Sequence, residues 1–276
     1  DGRIKIRLFP ANQLGDYTQV YEELRRGTID MGLISVPSQF DTRLEVTYLH
    51  YLAMNYDEAR TIYARGSVLF NAMDKLHKAL DVKFLGFNVE GFGGLGLAKK
   101  PDNMRDPAAG KGILLRVPPM AVFKDTADDQ GFNTVSVPFA ELYTALQTGV
   151  ADGWSGGPAI LNYLQFRDVI KYFLVNNNFF ENTSYLMSSK MWNELDAADR
   201  TLIADAVADL SLKSFEIAQE GDEKYQQLLS EAGIEVVKLS DEELKAWADH
   251  CRKMTWPKLE ARLSRELIDA LKAQYQ

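Results

Sequence analysis

Residues 196–233 keep a helical periodicity that only Gly221 interrupts. Asp196-Ala197-Ala198-Asp199 has the character of an N-terminal cap, and Gly233 supplies a stop. At 1.5 Å per residue such a helix is about 50 Å long, more than the width of a small domain. It must therefore protrude or run across two bodies. The 276 residues are enough for two domains of ordinary size.

Ahead of that helix, strands and helices alternate. A helix through residues 20–24 stops at Gly27, and a strand over 29–34 follows. Asp57 reads as the cap of a helix reaching Ile62 and Tyr63, and a second apolar-periodic stretch covers 68–80. A strand over 82–87 leads into a glycine-rich crossing at 91–96. Further strands fall at 113–117, 134–137, 170–175 and 184–187, with a helix over 121–129. Alternation at this spacing predicts mostly parallel sheets covered by helices. After Gly233 come a strand over 234–239, a capping box at Ser240 to Glu243, and helices on either side of Trp256-Pro257.

Residues 138–153, PFAELYTALQTGVADG, carry the densest information. A proline in the first turn, apolar Leu142, Tyr143 and Leu146, and Gly149 as a stop describe a short amphipathic helix. The four residues after it form a buried strand end or crossover. Upstream, Arg116 closes the strand over 113–117, and Pro118 and Pro119 follow at once. A guanidinium where a strand stops is aimed into a crevice, which suits a carboxylate ligand. The competing role is an ion pair with a carboxylate of the chain itself, such as Asp152 or Glu141.

Composition limits the alternatives. With 46% hydrophobic and 25% charged residues the chain is of the soluble globular type, and its net charge of −8 argues against nucleic acid as a partner. No run approaches ~18 apolar residues, the length that spans a bilayer. The chain opens on Asp1 rather than methionine, as expected of a processed or trimmed product. Cys251 stands alone and reads as a small buried hydrophobe; His50, His77 and His250 show no ligand spacing. Neither a metal nor a cofactor is expected.

Two motifs match enzymes literally. Gly91-Phe92-Gly93-Gly94-Leu95-Gly96 satisfies GxGxxG, but Leu97 to Pro101 cannot open the helix that a dinucleotide site needs. An extended crossing with hinge freedom is the better reading. Gly153-Trp154-Ser155-Gly156-Gly157 satisfies GxSxG, and a serine hydrolase using Ser155 with His250 is the alternative function.

Five blocks in order, GRIKIRLFPANQLG (2–15), RRGTIDMGLIS (25–35), KGILLRVPP (111–119), the 138–153 segment and SSKMWNELDAADR (188–200), give the chain a family likeness. It resembles the substrate-binding proteins of tripartite ATP-independent periplasmic (TRAP) transporters. The resemblance implies a two-lobed α/β, periplasmic-binding-protein-like fold with one long helix spanning both lobes. Lobe I would hold residues 1–89 and 182–221, and lobe II residues 90–181 and 222–276. The family's first strand and helix have no counterpart ahead of Gly2, so lobe I is expected to lack them.

The resemblance further implies a periplasmic protein, not an enzyme, that closes over a small organic acid and delivers it to membrane permease subunits. Arg116 falls where the family grips the substrate carboxylate. Trp154, Ser155 and Gly156 beside the hinge, Phe92 in the glycine-rich crossing, and Ser35 and Gln39 after the strand over 29–34 complete the expected ligand contacts. There are departures. The family's second arginine aligns with Gly93, its polar Gln-Glu-Asn-Pro-like sequence with Trp154 to Gly157, and its Pro-Phe-Leu-Phe segment with His50 to Ala53. One cationic anchor is lost and an indole gained, which favours a monocarboxylate with an apolar or aromatic body.

Overall fold

The computed structural model describes residues 3–274. Helix α1 (Tyr17–Arg26), strand β1 (Met31–Ile34), α2 (Tyr56–Ile62), α3 (Val68–Lys78) and β2 (Val82–Phe92) come first. Then follow β3 (Leu95–Leu97), β4 (Leu114–Val117), α4 (Ala121–Asp129), β5 (Asn133–Ser136), α5 (Leu142–Thr148), β6 (Gly153–Ser155) and α6 (Ala159–Leu161). The remainder is β7 (Tyr172–Val175), β8 (Phe180–Ser188), α7 (Ser189–Glu194), α8 (Ala197–Glu231), β9 (Glu235–Lys238), α9 (Asp241–Met254), α10 (Trp256–Leu263) and α11 (Arg265–Lys272).

Two sheets result, ordered β1-β8-β2 and β5-β4-β6-β3-β7-β9. The expectation of mostly parallel sheets fails in the smaller one, where β8 runs antiparallel to both neighbours. The cause is the connectivity. Strand β2 leaves the small sheet for the large one, β8 returns from it, and a strand that returns beside its outgoing partner must run the other way. In the large sheet β4 is parallel to β5 and β6, and β7 to β9, while β3 is antiparallel to both of its neighbours.

The long helix forms as its pattern requires. Asp196 accepts the Asp199 amide at 2.8 Å, and 35 helical residues follow without a break at Gly221. Its length, ~52 Å by the rise per residue, lets it serve both sheets. Midway, Ser214 Oγ accepts the Val89 amide of β2 at 3.0 Å and Phe215 stacks on Phe180 of β8. Towards its end Tyr225 meets Tyr163, and Leu229 is buried in the apolar cluster under the large sheet. This is a two-lobed α/β molecule with a helix spanning both lobes.

Local signals were mostly faithful. Helix α1 has Asp16 and Gln19 in a reciprocal capping box and stops at Gly27; Ser240 and Glu243 cap α9 in the same way. The helix expected to start at Asp57 is capped instead by Asn55, whose side-chain oxygen accepts the Glu58 amide at 2.9 Å. The segment after Pro138 begins as a short 3-10 turn before α5, which ends at Gly149 in the left-handed conformation, φ 77°. Cys251 is fully buried, and burial pushes its thiol up to about 12, so it stays protonated.

Candidate functional site

Arg116 lies near the end of β4, in register with Trp154 on β6 and Val135 on β5. Only 3% of it is exposed. Its Nε donates to the Val137 carbonyl at 2.8 Å, which ties the guanidinium to the loop that leads into Pro138. Among the described residues no carboxylate lies within 4.0 Å of it. Asp152, the pairing partner the sequence allowed, is engaged elsewhere: it bonds Lys99 at 2.5 Å and accepts the Leu114 amide at 3.0 Å. Burial lowers the Arg116 pKa to about 10, partly offset by attraction to Tyr17 and Glu181, so the group is charged at neutral pH.

The guanidinium lines a cavity of about 240 Å³. Trp154, Ser155, Gly156 and Ser35 line it as well, so five of the seven residues singled out in the sequence are brought together there. Trp154 is 2% exposed, and its indole Nε1 donates to Asn162 Oδ1 at 3.0 Å. Asn162 is held in turn by the Gly157 and Pro158 carbonyls. Gly96 makes this arrangement possible: a Cβ there would come within 2.4 Å of the indole nitrogen and 2.3 Å of the Asn162 oxygen. The indole also packs on Phe166, with centroids 4.8 Å apart, so it is core on one side and cavity wall on the other.

Phe92 and Gln39 do not line the cavity. Alternation along β2 slips between Val89 and Gly91, and after the slip Glu90 faces the cavity while the Phe92 ring packs against Tyr56 and Phe180. Gln39 is exposed on a turn that follows buried Val36 and Ser38. At Gly93, where the resemblance put a second arginine in other members, a Cβ would lie 2.3 Å from the Phe179 ring. That ring fills the space a second cation would need.

Sequence reasoning missed two carboxyls. Glu90 and Glu181, on the adjacent strands β2 and β8, both line the cavity. Their signal was visible: each is the lone acid of its strand, beside the glycine-rich or asparagine-rich crossing. Glu90 accepts from Thr183 Oγ1 at 3.1 Å, and Glu181 from the Asn182 amide at 3.1 Å and from the Gly157 amide. Burial raises both pKa values, and for Glu181 the neighbouring Glu90 charge adds to the rise while Arg116 opposes it. Both residues are half-buried rather than sealed from solvent, so the displacement is smaller than full enclosure would impose. Tyr48, Phe123 and Phe139 are further walls that no motif announced.

The enzyme motifs dissolve in the fold. The GxGxxG residues end β2 and form β3, with no helix opening on them. Ser155 ends β6, and its hydroxyl faces Asn178 Nδ2 at 3.4 Å; the His250 ring on α9 bonds the Asp129 carbonyl at 2.8 Å. His50 is core, packed between Phe123 and Phe179, and burial lowers its pKa to about 3. Among the described residues no cluster of metal ligands occurs, and no helix is long and apolar enough to cross a membrane.

Comparisons with known proteins agree with this architecture. The C4-dicarboxylate-binding periplasmic protein DctP of Vibrio cholerae is 29% identical over 290 residues, covering 100% of this chain and 82% of that protein. A TRAP periplasmic solute-binding protein of Haemophilus influenzae, solved with bound L-gulonate, superimposes with a TM-score of 0.84 at 26% identity, over 98% of this chain and 86% of that one. The sugar acid binding protein DctPAm of Advenella mimigardefordensis, in complex with galactonate, gives 0.87 at 25% identity, over 99% and 88%. These relatives bind solutes and are not enzymes, and nothing in them supports the hydrolase alternative. The model of the family described as bacterial extracellular solute-binding protein, family 7 (DctP) matches residues 1–260, and this chain belongs to that family of TRAP solute-binding proteins.

Proposed function

We propose that this protein captures a monocarboxylate with an apolar or aromatic body between its lobes and delivers it, in the periplasm, to the permease subunits of a TRAP transporter. Arg116 grips the carboxylate. Trp154, Ser155, Gly156 and Ser35 form the wall around it, and Phe123, Phe139 and Met120 supply apolar surface. The observation that carries the reading is Arg116 itself: a guanidinium 3% exposed, without an ion-pair partner among the described residues, beside an indole in an open cavity. A buried charge of this kind is costly unless something pairs with it, and an incoming carboxylate does so bidentately.

The lobes divide, in this proposal, at residues 1–89 with 182–221 and 90–181 with 222–276. The smaller sheet lies in the first and the larger in the second. Crossing strands β2 and β8 and helix α8 are the links, so closure is a hinge motion about them. Helices α10 and α11 also touch elements of the first lobe, near Thr42 and on α3, and would ride with either lobe.

The cavity of about 240 Å³ is small for a ligand site, which suits a compact acid more than a long one. L-gulonate and galactonate belong to the relatives in which they were found. A thermal-shift panel of monocarboxylates, dicarboxylates and sugar acids tests the reading. Stabilisation by an apolar monocarboxylate that disappears in Arg116→Ala is the expected result. Stabilisation by dicarboxylates or sugar acids alone would overturn the choice of ligand, and indifference to Arg116→Ala would overturn the site.

A further inference from the structure

We infer that the ligand is a zwitterion: its carboxylate meets Arg116 and a protonated amine on the same molecule meets Glu90 and Glu181. The inference rests on the carboxylate reading above and narrows it to amino acids.

Three ionisable groups of opposite character line one cavity, and none of them is ion-paired within 4.0 Å among the described residues. Arg116 spends its Nε on the Val137 carbonyl and makes no other hydrogen bond among the described residues. The two glutamates are steadied by neutral donors, namely the Thr183 hydroxyl and the Asn182 and Gly157 amides. Those donors fix where the carboxyl oxygens sit without supplying positive charge. The other titratable groups facing the pair are Arg116, Tyr48 and, beyond Arg116, Tyr17. Both phenols are raised by burial and stay neutral, so among the described residues Arg116 is the one cation near two acids.

A plain monocarboxylate satisfies Arg116 but adds a third acid to the cavity. A zwitterion brings no net charge, and its ammonium offers three N–H donors to the carboxyl oxygens. Burial, with repulsion from Glu90 added at Glu181, favours the protonated form of the pair, and an arriving ammonium offsets both as the proton leaves to solvent. The cavity then holds a guanidinium against a carboxylate and an ammonium against two carboxylates. A ligand body without charge rests against Phe139, Leu161 and Met120.

Matched ligands that exchange only the amine for a hydroxyl test this directly: L-phenylalanine against L-phenyllactate, L-leucine against 2-hydroxyisocaproate, and 4-aminobutanoate against 4-hydroxybutanoate. Calorimetric titration should show at least one amine binding about tenfold or more tighter than its hydroxyl partner. Glu181→Gln and Glu90→Gln should each shrink that preference about tenfold. If the hydroxyl member of every pair binds equally or better, or if no amine binds, the inference is wrong, and the same holds if both variants keep the preference. Should Glu181→Gln fail to fold, Glu90→Gln and the wild-type pairs still decide. Hydroxy acids that bind through Arg116 while amines do not would leave the carboxylate reading standing. Acids that bind Arg116→Ala as well as the wild type would remove both.

Discussion

Two hollows share the wall formed by Pro118 and Met120. The larger, about 350 Å³, contains Lys124, Asp125 and Arg262; the smaller, about 240 Å³, contains Arg116, Glu90 and Glu181. In the larger, Arg262 is half exposed and approaches Asp125 at 3.8 Å, and Lys124 bonds Asp128 one helical turn away. Its charges are answered by the protein and by water. In the smaller, Arg116 is buried and has no ion-pair partner within 4.0 Å among the described residues. What marks a binding site is charge that the fold has taken out of water and left for something else to neutralise.

The most direct way to break that contrast is to remove Arg116. Truncating one member of a buried charge pair costs about 2–5 kcal/mol, so Arg116→Ala should weaken a bound carboxylate by between about one and a half and three and a half decades. Arg116→Lys should recover only part of this, because an ammonium lacks the planar fork. Calorimetry with whichever acid stabilises the wild type provides the measurement. A loss of less than threefold would put Arg116 on the same footing as Arg262.

Trp154→Phe tests the wall rather than the anchor. The substitution keeps an aromatic ring against Phe166 but removes the indole N–H, leaving Asn162 Oδ1 buried without its donor. A cost of about 1–3 kcal/mol in unfolding free energy is expected, read as a lower denaturant midpoint at unchanged slope. No loss would mean that the indole nitrogen is not held by Asn162 in solution.

A smaller effect, visible only as a slope, should come from Glu181→Gln. The folded-state pKa of Glu181 is raised above its unfolded value, so the folded protein binds the proton more tightly. Its contribution therefore turns unfavourable as pH rises through the interval between the two values. The stability of the wild type minus that of the variant should fall between about pH 5 and 8. His50 and His77, whose pKa values burial lowers to about 3, act in the opposite sense and cancel in this difference because both proteins keep them. A flat difference would show Glu181 freely solvated.

How far the sequence could see follows the same line between answered and unanswered groups. The long helix with its cap at Asp196, the capping box at Ser240 and the stops at Gly27 and Gly149 are local events, each fixed by residues a few positions apart, and they were legible. Arg116 was legible as a strand end and Trp154 through the family resemblance, and both line the cavity. The antiparallel small sheet was not, since its direction depends on where β8 returns, a contact made across some ninety positions. Glu90 took the place on the cavity wall expected of Phe92 through one irregularity in β2, which no periodicity reveals. Glu181 could have been suspected as the lone charged residue of its strand, but its closeness to Glu90 needed the register.

The smallest effect is expected where the hollow is largest. Arg262→Ala removes a half-exposed guanidinium whose approach to Asp125, at 3.8 Å, is at the limit of an ion pair. Water screens such pairs, and surface substitutions of this kind commonly change stability by less than about 0.5 kcal/mol. Ligand affinity should move by less than about twofold, since Arg262 does not line the smaller cavity and the two hollows share the wall at Pro118 and Met120. Titrating the same acid into Arg262→Ala and Arg116→Ala side by side makes the difference between the two hollows a single ratio. A tenfold loss in Arg262→Ala would mean that the hollows communicate through that wall, and the smaller cavity could no longer be treated as a self-contained site.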